Sequence, residues 1–372
     1  MKRAAFARIN LSNLKHNLAI VRNIASTSKV MAVVKADAYG HGMLEICKGL
    51  SDADAFSVAY INEALELRKH GIEQPILALQ GFSNLHDLKQ AIQHDVQVVI
   101  HNREQLQILK SYTASPDYSP ASNLPTLNVP TLNVLVKCDT GMHRLGFSVE
   151  EFKDVVVELK AELSPESTLC LMTHLACADE IESQATAQQL QCFDKLVKDM
   201  TLEQSIANSA GVLAWPESRR DWIRPGLVLY GINPLAKSDG QSSIGLRPVM
   251  SLHAPIISIK HCKKGEKVGY GGDFCCPSDM LIGIIAIGYA DGYPRHLKTA
   301  PSVLIGVKKA PLIGRVSMDM IAVDLSGIET QVGNVAELWG ESIPVEDVAE
   351  HAETISYELL CAAGNSVHKI YI

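Results

Sequence analysis

Over the first two-thirds of the chain, short and almost wholly apolar runs alternate with longer stretches whose apolar positions recur every three or four residues. The apolar runs are Val30–Asp37, Ala55–Tyr60, Pro75–Gly81, Val96–Asn102, Asn133–Asp139, Thr168–Ala176, Ser205–Gly211 and Trp222–Gly231. Their length and continuity suit strands covered on both faces, as in a parallel sheet. Helical periodicity marks Asn62–His70, Leu85–Gln93, Arg103–Ser111, Glu150–Glu162 and Ser183–Met200 between them. This βα alternation predicts an α/β fold, a TIM-type (β/α)8 barrel over residues 1–236. From about Pro234 the texture changes to short runs divided by Gly, Pro and Asp: Val249–Lys260, Lys267–Tyr270, Met280–Tyr289, Ser302–Ile305, Lys308–Val316, Met320–Leu325 and Asn334–Trp339. They predict a second, mostly β domain over residues 237–372, ending in short helices at Glu346–His351 and Ile355–Ala363.

A chain of 372 residues with 47% hydrophobic and 20% charged residues has room for a core that buries polar groups. Its 34 basic against 41 acidic residues give a net charge of −7 with no basic cluster, which argues against a nucleic-acid partner. Nine scattered cysteines without a CxxC pair imply reduced thiols and a cytoplasmic protein. No apolar stretch follows Lys2, Arg3 and Arg8 as a signal peptide requires. The longest apolar run, Met280–Ala290, is too short for a bilayer, so no membrane partner is expected. The tandem Pro125–Val129 and Pro130–Val134 (PTLNV twice) reads as a duplicated surface loop.

In a barrel of this kind, polar residues at the C-terminal strand ends carry the chemistry. Lys35, Lys137 with Asp139, His174, Asn208 with Ser209, and Arg224 hold such positions. The most informative segment is Val33-Val-Lys-Ala-Asp-Ala-Tyr-Gly-His-Gly42. A lysine at a buried strand end loses solvation, which favours its neutral amine, the form that condenses with an aldehyde cofactor. Tyr39 offers a hydroxyl to a phosphate, and Gly40 and Gly42 allow close backbone approach. Taken alone, a strand-end lysine is more often a snorkelling surface residue.

The segment resembles the cofactor-lysine signature of bacterial alanine racemases, and the resemblance recurs at intervals along essentially the whole chain. It implies pyridoxal 5'-phosphate as cofactor, alanine as substrate and conversion between L- and D-alanine through an aldimine, supplying D-alanine for peptidoglycan. It implies further that Lys35 and Tyr270 are the two catalytic bases, with Tyr270 (in Glu266-Lys-Val-Gly-Tyr-Gly-Gly272) acting across a homodimer interface. In Val136-Lys-Cys-Asp-Thr-Gly-Met-His-Arg144, Lys137 matches a lysine carbamylated in many members. Arg144 matches the arginine that contacts the cofactor's phenolic oxygen and the substrate carboxylate. His174 matches the histidine beside the cofactor ring, and Arg224 the residue facing the pyridine nitrogen. An arginine there disfavours a protonated nitrogen and so favours racemisation over transamination. Tyr39, Asn208, Ser209, Gly226, Leu227 and Tyr357 match positions around the cofactor, mostly phosphate contacts. The backbone N–H of Met318 matches a contact to the substrate carboxylate, and Asp179, Tyr289, Arg295 and Arg315 match the access corridor. No metal is implied.

Ser317 stands where many members have cysteine, and Asn334 where a turn usually has aspartate. The tail Asn365-Ser-Val-His-Lys-Ile-Tyr-Ile372 lacks an Arg-Val-Pro-Arg-like ending. Three other readings compete: a racemase of wider specificity, whose relatives are generally exported; a catalytically silent pyridoxal-phosphate carrier, which would lack the β domain and Tyr270; and a decarboxylase on the same architecture, against which Arg224 counts.

Overall fold

The computed structural model describes residues 4–114, 131–235 and 244–372. Most of the PTLNV duplication (125–130) and the expected boundary between residues 236 and 237 lie outside the described residues. The first strand, β1 (Phe6–Ile9), stands apart from the eight that follow. Those are β2 (Lys29–Val33), β3 (Ala55–Val58), β4 (Ile76–Ala78), β5 (Val96–Ile100), β6 (Val134–Lys137), β7 (Leu169–Met172), β8 (Gln204–Ser205) and β9 (Trp222–Ile223). They pair in parallel in chain order and close through β9 onto β2, with Lys29 opposite Trp222 and Val30 opposite Ile223. The predicted barrel is present.

Strand pleating divides the side chains into two sets. Val30, Ala32, Phe56, Ile76, Ala78, Val98, Ile100, Val134, Val136, Leu171 and Ile223 join the large core that includes the helices. Their neighbours Met31, Ala55, Leu77, Val99, Leu135, Cys170 and Met172 form a separate cluster, with Leu79 and Trp222 packed on it, that fills the inside of the barrel. The barrel is therefore a packed core below and open to chemistry only at its upper rim.

Every barrel strand ends before its apolar run does, and after β2, β8 and β9 the rest of the run is a turn or helix. Ser209–Ala214 is a helix capped by the Asn208 side chain, which accepts from Gly211 N–H. Leu227–Tyr230 is a 3-10 helix. The Ser209 hydroxyl accepts from the N–H groups of Gly226 and Val228 at 2.9 and 3.3 Å, so these segments turn into each other instead of extending the ladder. After β2, Ala36, Asp37, Ala38 and Tyr39 all take left-handed helical angles, with φ of 53°, 53°, 55° and 52°. L-residues resist this conformation by roughly 1–2 kcal/mol each, so the turn persists only because its surroundings fix it.

The second domain contains β10 (Met250–Cys262), β11 (Lys267–Val268), β12 (Phe274–Cys275), β13 (Met280–Ile285), β14 (Ser302–Ile305), β15 (Lys308–Ile313), β16 (Ile321–Asp324), β17 (Val335–Trp339) and β18 (His368–Tyr371). Eight strands form one sheet in the order β13-β16-β15-β14-β17-β10-β1-β18, and β11 and β12 make a small hairpin beside it. Thus β1 belongs to this sheet, antiparallel to β10 and parallel to β18. The atypical C-terminal tail is β18, and Lys369 within it pairs with Asp37 at 2.9 Å.

The helix Ser356–Ser366 packs directly on the turn after Lys35. The contact is backbone against backbone: a Cβ on Gly364 would lie 2.0 Å from the Gly40 carbonyl oxygen, and one on Gly40 would lie 2.3 Å from that of Leu360. Inside an exposed helix, Gly→Ala gains about 0.5–1 kcal/mol. Gly364→Ala should reverse that sign and lose about 1–3 kcal/mol through overpacking, seen as a lower urea midpoint. A midpoint equal to or above that of the parent would contradict the close approach.

Candidate active site

The inward side chains of the barrel continue upward in steps of two. Leu135 is followed by Lys137, Cys170 and Met172 by His174, and Trp222 by Arg224, while Lys35 follows the end of β2, where the pleat breaks at Val34. The apolar filling thus gives way at the rim to a ring of nitrogen-bearing groups. Lys137 and Arg224 are buried, Lys35 and His174 partly so, and Arg144 reaches the group from the exposed loop after β6.

Arg224 anchors the arrangement. Its guanidinium donates to Ser205 Oγ (2.6 Å), to the carbonyls of Thr173 (2.8 Å) and Ile206 (3.3 Å), and to His174 Nδ1 (3.3 Å). Burial lowers its pKa only to about 10, so it remains cationic at neutral pH. Burial, followed by Arg224, Lys137, Arg144 and Lys35, holds His174 well below the ordinary histidine value. A neutral ring that accepts at Nδ1 carries its proton on Nε2, so His174 presents a donor on its other side.

The same crowding acts on the lysines. Burial, Arg224 and Arg144 bring Lys137 down to about 8, with Asp139 opposing them. Burial and Arg144 lower Lys35 against the pull of Glu63 and Cys361. These two acids direct their oxygens elsewhere: Asp139 accepts from the N–H groups of Gly141 and His143, Glu63 from those of Ala36, Ala59 and Tyr60. The rim therefore carries positive charge in excess, which suits an anionic ligand.

Beside this ring lies a second group of candidate residues. Tyr39 is buried between Tyr230 and Tyr357, with ring centroids 4.9 and 5.4 Å away. Its hydroxyl comes so close to Gly226 that a Cβ there would lie 2.5 Å from it. Ser209, Gly226 and Leu227 sit where the turns after β8 and β9 meet, and Asn208 caps the helix that Ser209 opens. Asp179 is exposed but near enough to Tyr357 to raise its pKa further after burial has done so.

The remaining candidates lie elsewhere. Tyr270, 72% exposed, sits in the loop between β11 and β12. Arg315 pairs with Asp273 in the same loop, its Nη2 3.1 Å from Oδ1. Tyr289 and Met318 share a turn contact, the Tyr289 N–H bonding Ser317 O and the Ala290 N–H bonding Met318 O. Arg295 is exposed. Sequence reading missed Ser205, Gln189 and His101. Gln189 ties His174 O to Ala176 N–H and Thr140. His101, two residues above Val99, could have been found by the inward parity.

The sequence profile for "Alanine racemase, N-terminal domain" matches residues 9–234, and that for "Alanine racemase, C-terminal domain" matches residues 249–371. The chain belongs to the alanine racemase family. It is 46% identical over 373 residues to an alanine racemase of Coxiella burnetii, covering 99% of each chain, and 44% identical over 362 residues to one of Shewanella piezotolerans, covering 97% of each. Among solved structures it resembles the alanine racemase of Acinetobacter baumannii (TM-score 0.90, 37% identity, 100% of both chains). It also resembles the biosynthetic alanine racemase of Pseudomonas aeruginosa (TM-score 0.89, 39% identity, 100% of both chains). A third neighbour, from Bartonella henselae, is described with covalently bound pyridoxal phosphate (TM-score 0.85, 27% identity, 99% of both chains). No described helix is long and apolar enough to cross a membrane, and among the described residues no cluster suits a metal ion.

A lowered lysine pKa means that the neutral, nucleophilic amine appears at lower pH. In carbonate-free buffer, acylation of Lys137 followed by peptide mass spectrometry should reach half its maximal rate near pH 8. Ordinary lysines titrate near about 10.4; a Lys137 profile at that value would mean that the rim does not crowd its charge.

Proposed function

We propose that the chain interconverts L- and D-alanine with pyridoxal 5'-phosphate held at the barrel rim by Lys35. The observation that carries this reading is a half-buried lysine whose amine is driven toward neutrality by burial and by Arg144, beside hydroxyls and backbone N–H groups from the turns after β2, β8 and β9. The chemistry pyridoxal 5'-phosphate supplies when bound is electron withdrawal from the amino acid's Cα, which makes the proton there removable by protein side chains.

The residues present fit that group. Neutral Lys35 can form a covalent bond to an aldehyde, where a protonated lysine cannot. Tyr39, Ser209, Gly226, Leu227 and Tyr357 would hold the phosphate, with Asn208 fixing the turn that carries Ser209. Arg224, held cationic by four acceptors, would meet the ring nitrogen and keep it unprotonated, since a second positive charge in that buried position is costly. Arg144 would pair the substrate carboxylate, a planar anion that matches its guanidinium. Lys137, as a carbamate, would become the anion that orients Arg144. Its amine, lowered to about 8, would offer the neutral form that adds to carbon dioxide.

Racemisation needs a base on each face of Cα. Lys35 serves one. Tyr270 would serve the other from a partner subunit, where neutral His174 offers its Nε2–H to the phenol oxygen. The exposure of Tyr270 in the single chain supports a homodimeric arrangement in which each site is completed by its partner. Asp179, Tyr289, Arg295 and Arg315 would then border the way in, the backbone N–H of Met318 would meet the substrate carboxylate, and Tyr289 with Tyr357 would crowd out side chains longer than methyl. Nine unpaired cysteines support a cytoplasmic location, and formation of D-alanine for peptidoglycan is the role this activity suggests. The two functional units would be residues 1–236 and 237–372, with β1 lent to the second.

Lys35→Ala should abolish the visible absorbance of the bound cofactor together with activity on D-alanine; an unchanged spectrum would remove Lys35 as the attachment point. Tyr270→Phe should keep the absorbance and lose at least about 100-fold in rate. Mixing the two inactive variants tests the shared site. Half of randomly reassorted dimers carry one intact site, so activity should return to about a quarter of the parent's, whereas no recovery would place Tyr270 in its own chain's site.

A further inference from the structure

The left-handed turn between Lys35 and Gly40 fixes where the amine of Lys35 and the hydroxyl of Tyr39 point, and one buried side chain touches it from within. His41 has no exposed surface. Its Nδ1 lies 2.9 Å from the carbonyl oxygen of Ala38 and 3.0 Å from that of Tyr39. Two acceptors on one nitrogen require that nitrogen to carry the proton. Nε2 is then a bare acceptor, and among the described residues it has no hydrogen-bond partner. Burial keeps the ring neutral, lowering it to about 4, with Lys369 acting in the same direction and Asp37 and the two carbonyls opposing.

The ring also reaches the other side of Lys35. It packs against Tyr230 at 4.5 Å between centroids, and the Tyr230 hydroxyl donates to the carbonyl of Val33 at 2.9 Å. One connected path of contacts therefore joins the backbone two residues before Lys35 to the backbone three and four residues after it. Other restraints on the turn act from outside it: Glu63 accepts from Ala36 N–H, Asp37 accepts from Met43 N–H and pairs with Lys369, and helix Ser356–Ser366 packs on Gly40.

We propose that His41 is a positioning residue for Lys35 and Tyr39, its Nδ1–H clasping the carbonyls that end the left-handed turn. The catalytic consequence rests on the reading of Lys35 as the cofactor lysine; the clasp itself does not.

The experiment compares His41→Asn with His41→Gln in the full chain. The asparagine amide places a donor near the position of Nδ1, and the glutamine amide places one near Nε2. Both lose the ring contact with Tyr230, so their difference isolates the clasp. In cofactor-free protein, amide hydrogen exchange over residues 36–42 should stay close to that of the parent in the asparagine variant. It should speed up roughly tenfold in the glutamine variant, the loss expected for one buried hydrogen bond. Capture of pyridoxal 5'-phosphate by Lys35, followed as visible absorbance and as borohydride-fixed Lys35 in peptide mass spectra, should rank the variants in the same order. In the unmutated protein, the histidine nitrogen NMR spectrum should show a protonated Nδ1 and a bare Nε2 from about pH 5 to 9. Equal exchange in the two variants, or an Nε2–H tautomer, would overturn the clasp. A parent protein that captures no cofactor while the exchange difference stands would leave the clasp and overturn the proposed function.

Discussion

A positive charge held out of water raises the cost of the next one placed beside it, and the barrel rim crowds Lys35, Lys137, Arg144 and Arg224 together. The four cannot all stay charged at little cost, and their chemistry decides which yields. Arginine holds its proton most tightly, and Arg224 is further secured by Ser205, Thr173, Ile206 and His174. The lysines yield instead, and so does His174. Burial and the neighbouring cations thus favour a neutral lysine amine and a neutral imidazole, Arg144 acting on Lys35 and Arg224 foremost on His174, with few carboxylates to oppose them.

That electrostatic arrangement depends on backbone that brings the groups to one level. Pleating does most of this: the interior layer of Met31, Leu135, Cys170, Met172 and Trp222 puts the next inward residue of each strand at the rim. Lys35 is the exception, because the chain leaves β2 through a left-handed turn before it can continue. The turn is held by the second domain as much as by the barrel, through helix Ser356–Ser366 against Gly40 and Lys369 on Asp37. A tail that departs from the ending expected of the family still supplies a cation there, and β18 remains locked against β1.

Much of this was legible in the sequence because the signals were periodic or local. Seven of the eight barrel strands lie largely within apolar runs, since a strand buried on both faces tends to be apolar throughout, whereas the short polar β8 meets its run only at Ser205. Leu85–Gln93 and Ser302–Ile305 fall where their patterns place them. The ends were less legible. Ser209–Ala214 and Leu227–Tyr230 are apolar because they are buried, and composition does not tell a buried strand from a buried turn. The membership of β1 in the distant sheet leaves no local trace, because Phe6–Ile9 acquires its partners from residues more than two hundred positions away. Glu63 and Ser205 escaped for a related reason: each acts on a backbone group or a side chain brought near only by closure of the barrel.

With Lys35 and Tyr270 as the proposed bases, their placement answers a chemical requirement. A lysine amine and a phenol in direct contact would share a proton, and neither would then be free to act alone on its own face of Cα. Keeping them on separately folded elements avoids this. Lys35 is fixed by barrel, turn and helix, while Tyr270 rides on the loop between β11 and β12, outside the closed core and exposed. If a second copy brings that loop to the rim, the distance between the bases is set by how the subunits dock, not by the stability of either domain. The loop could then vary in sequence to tune the pocket without disturbing the cationic ring that sets the protonation of Lys35 and His174.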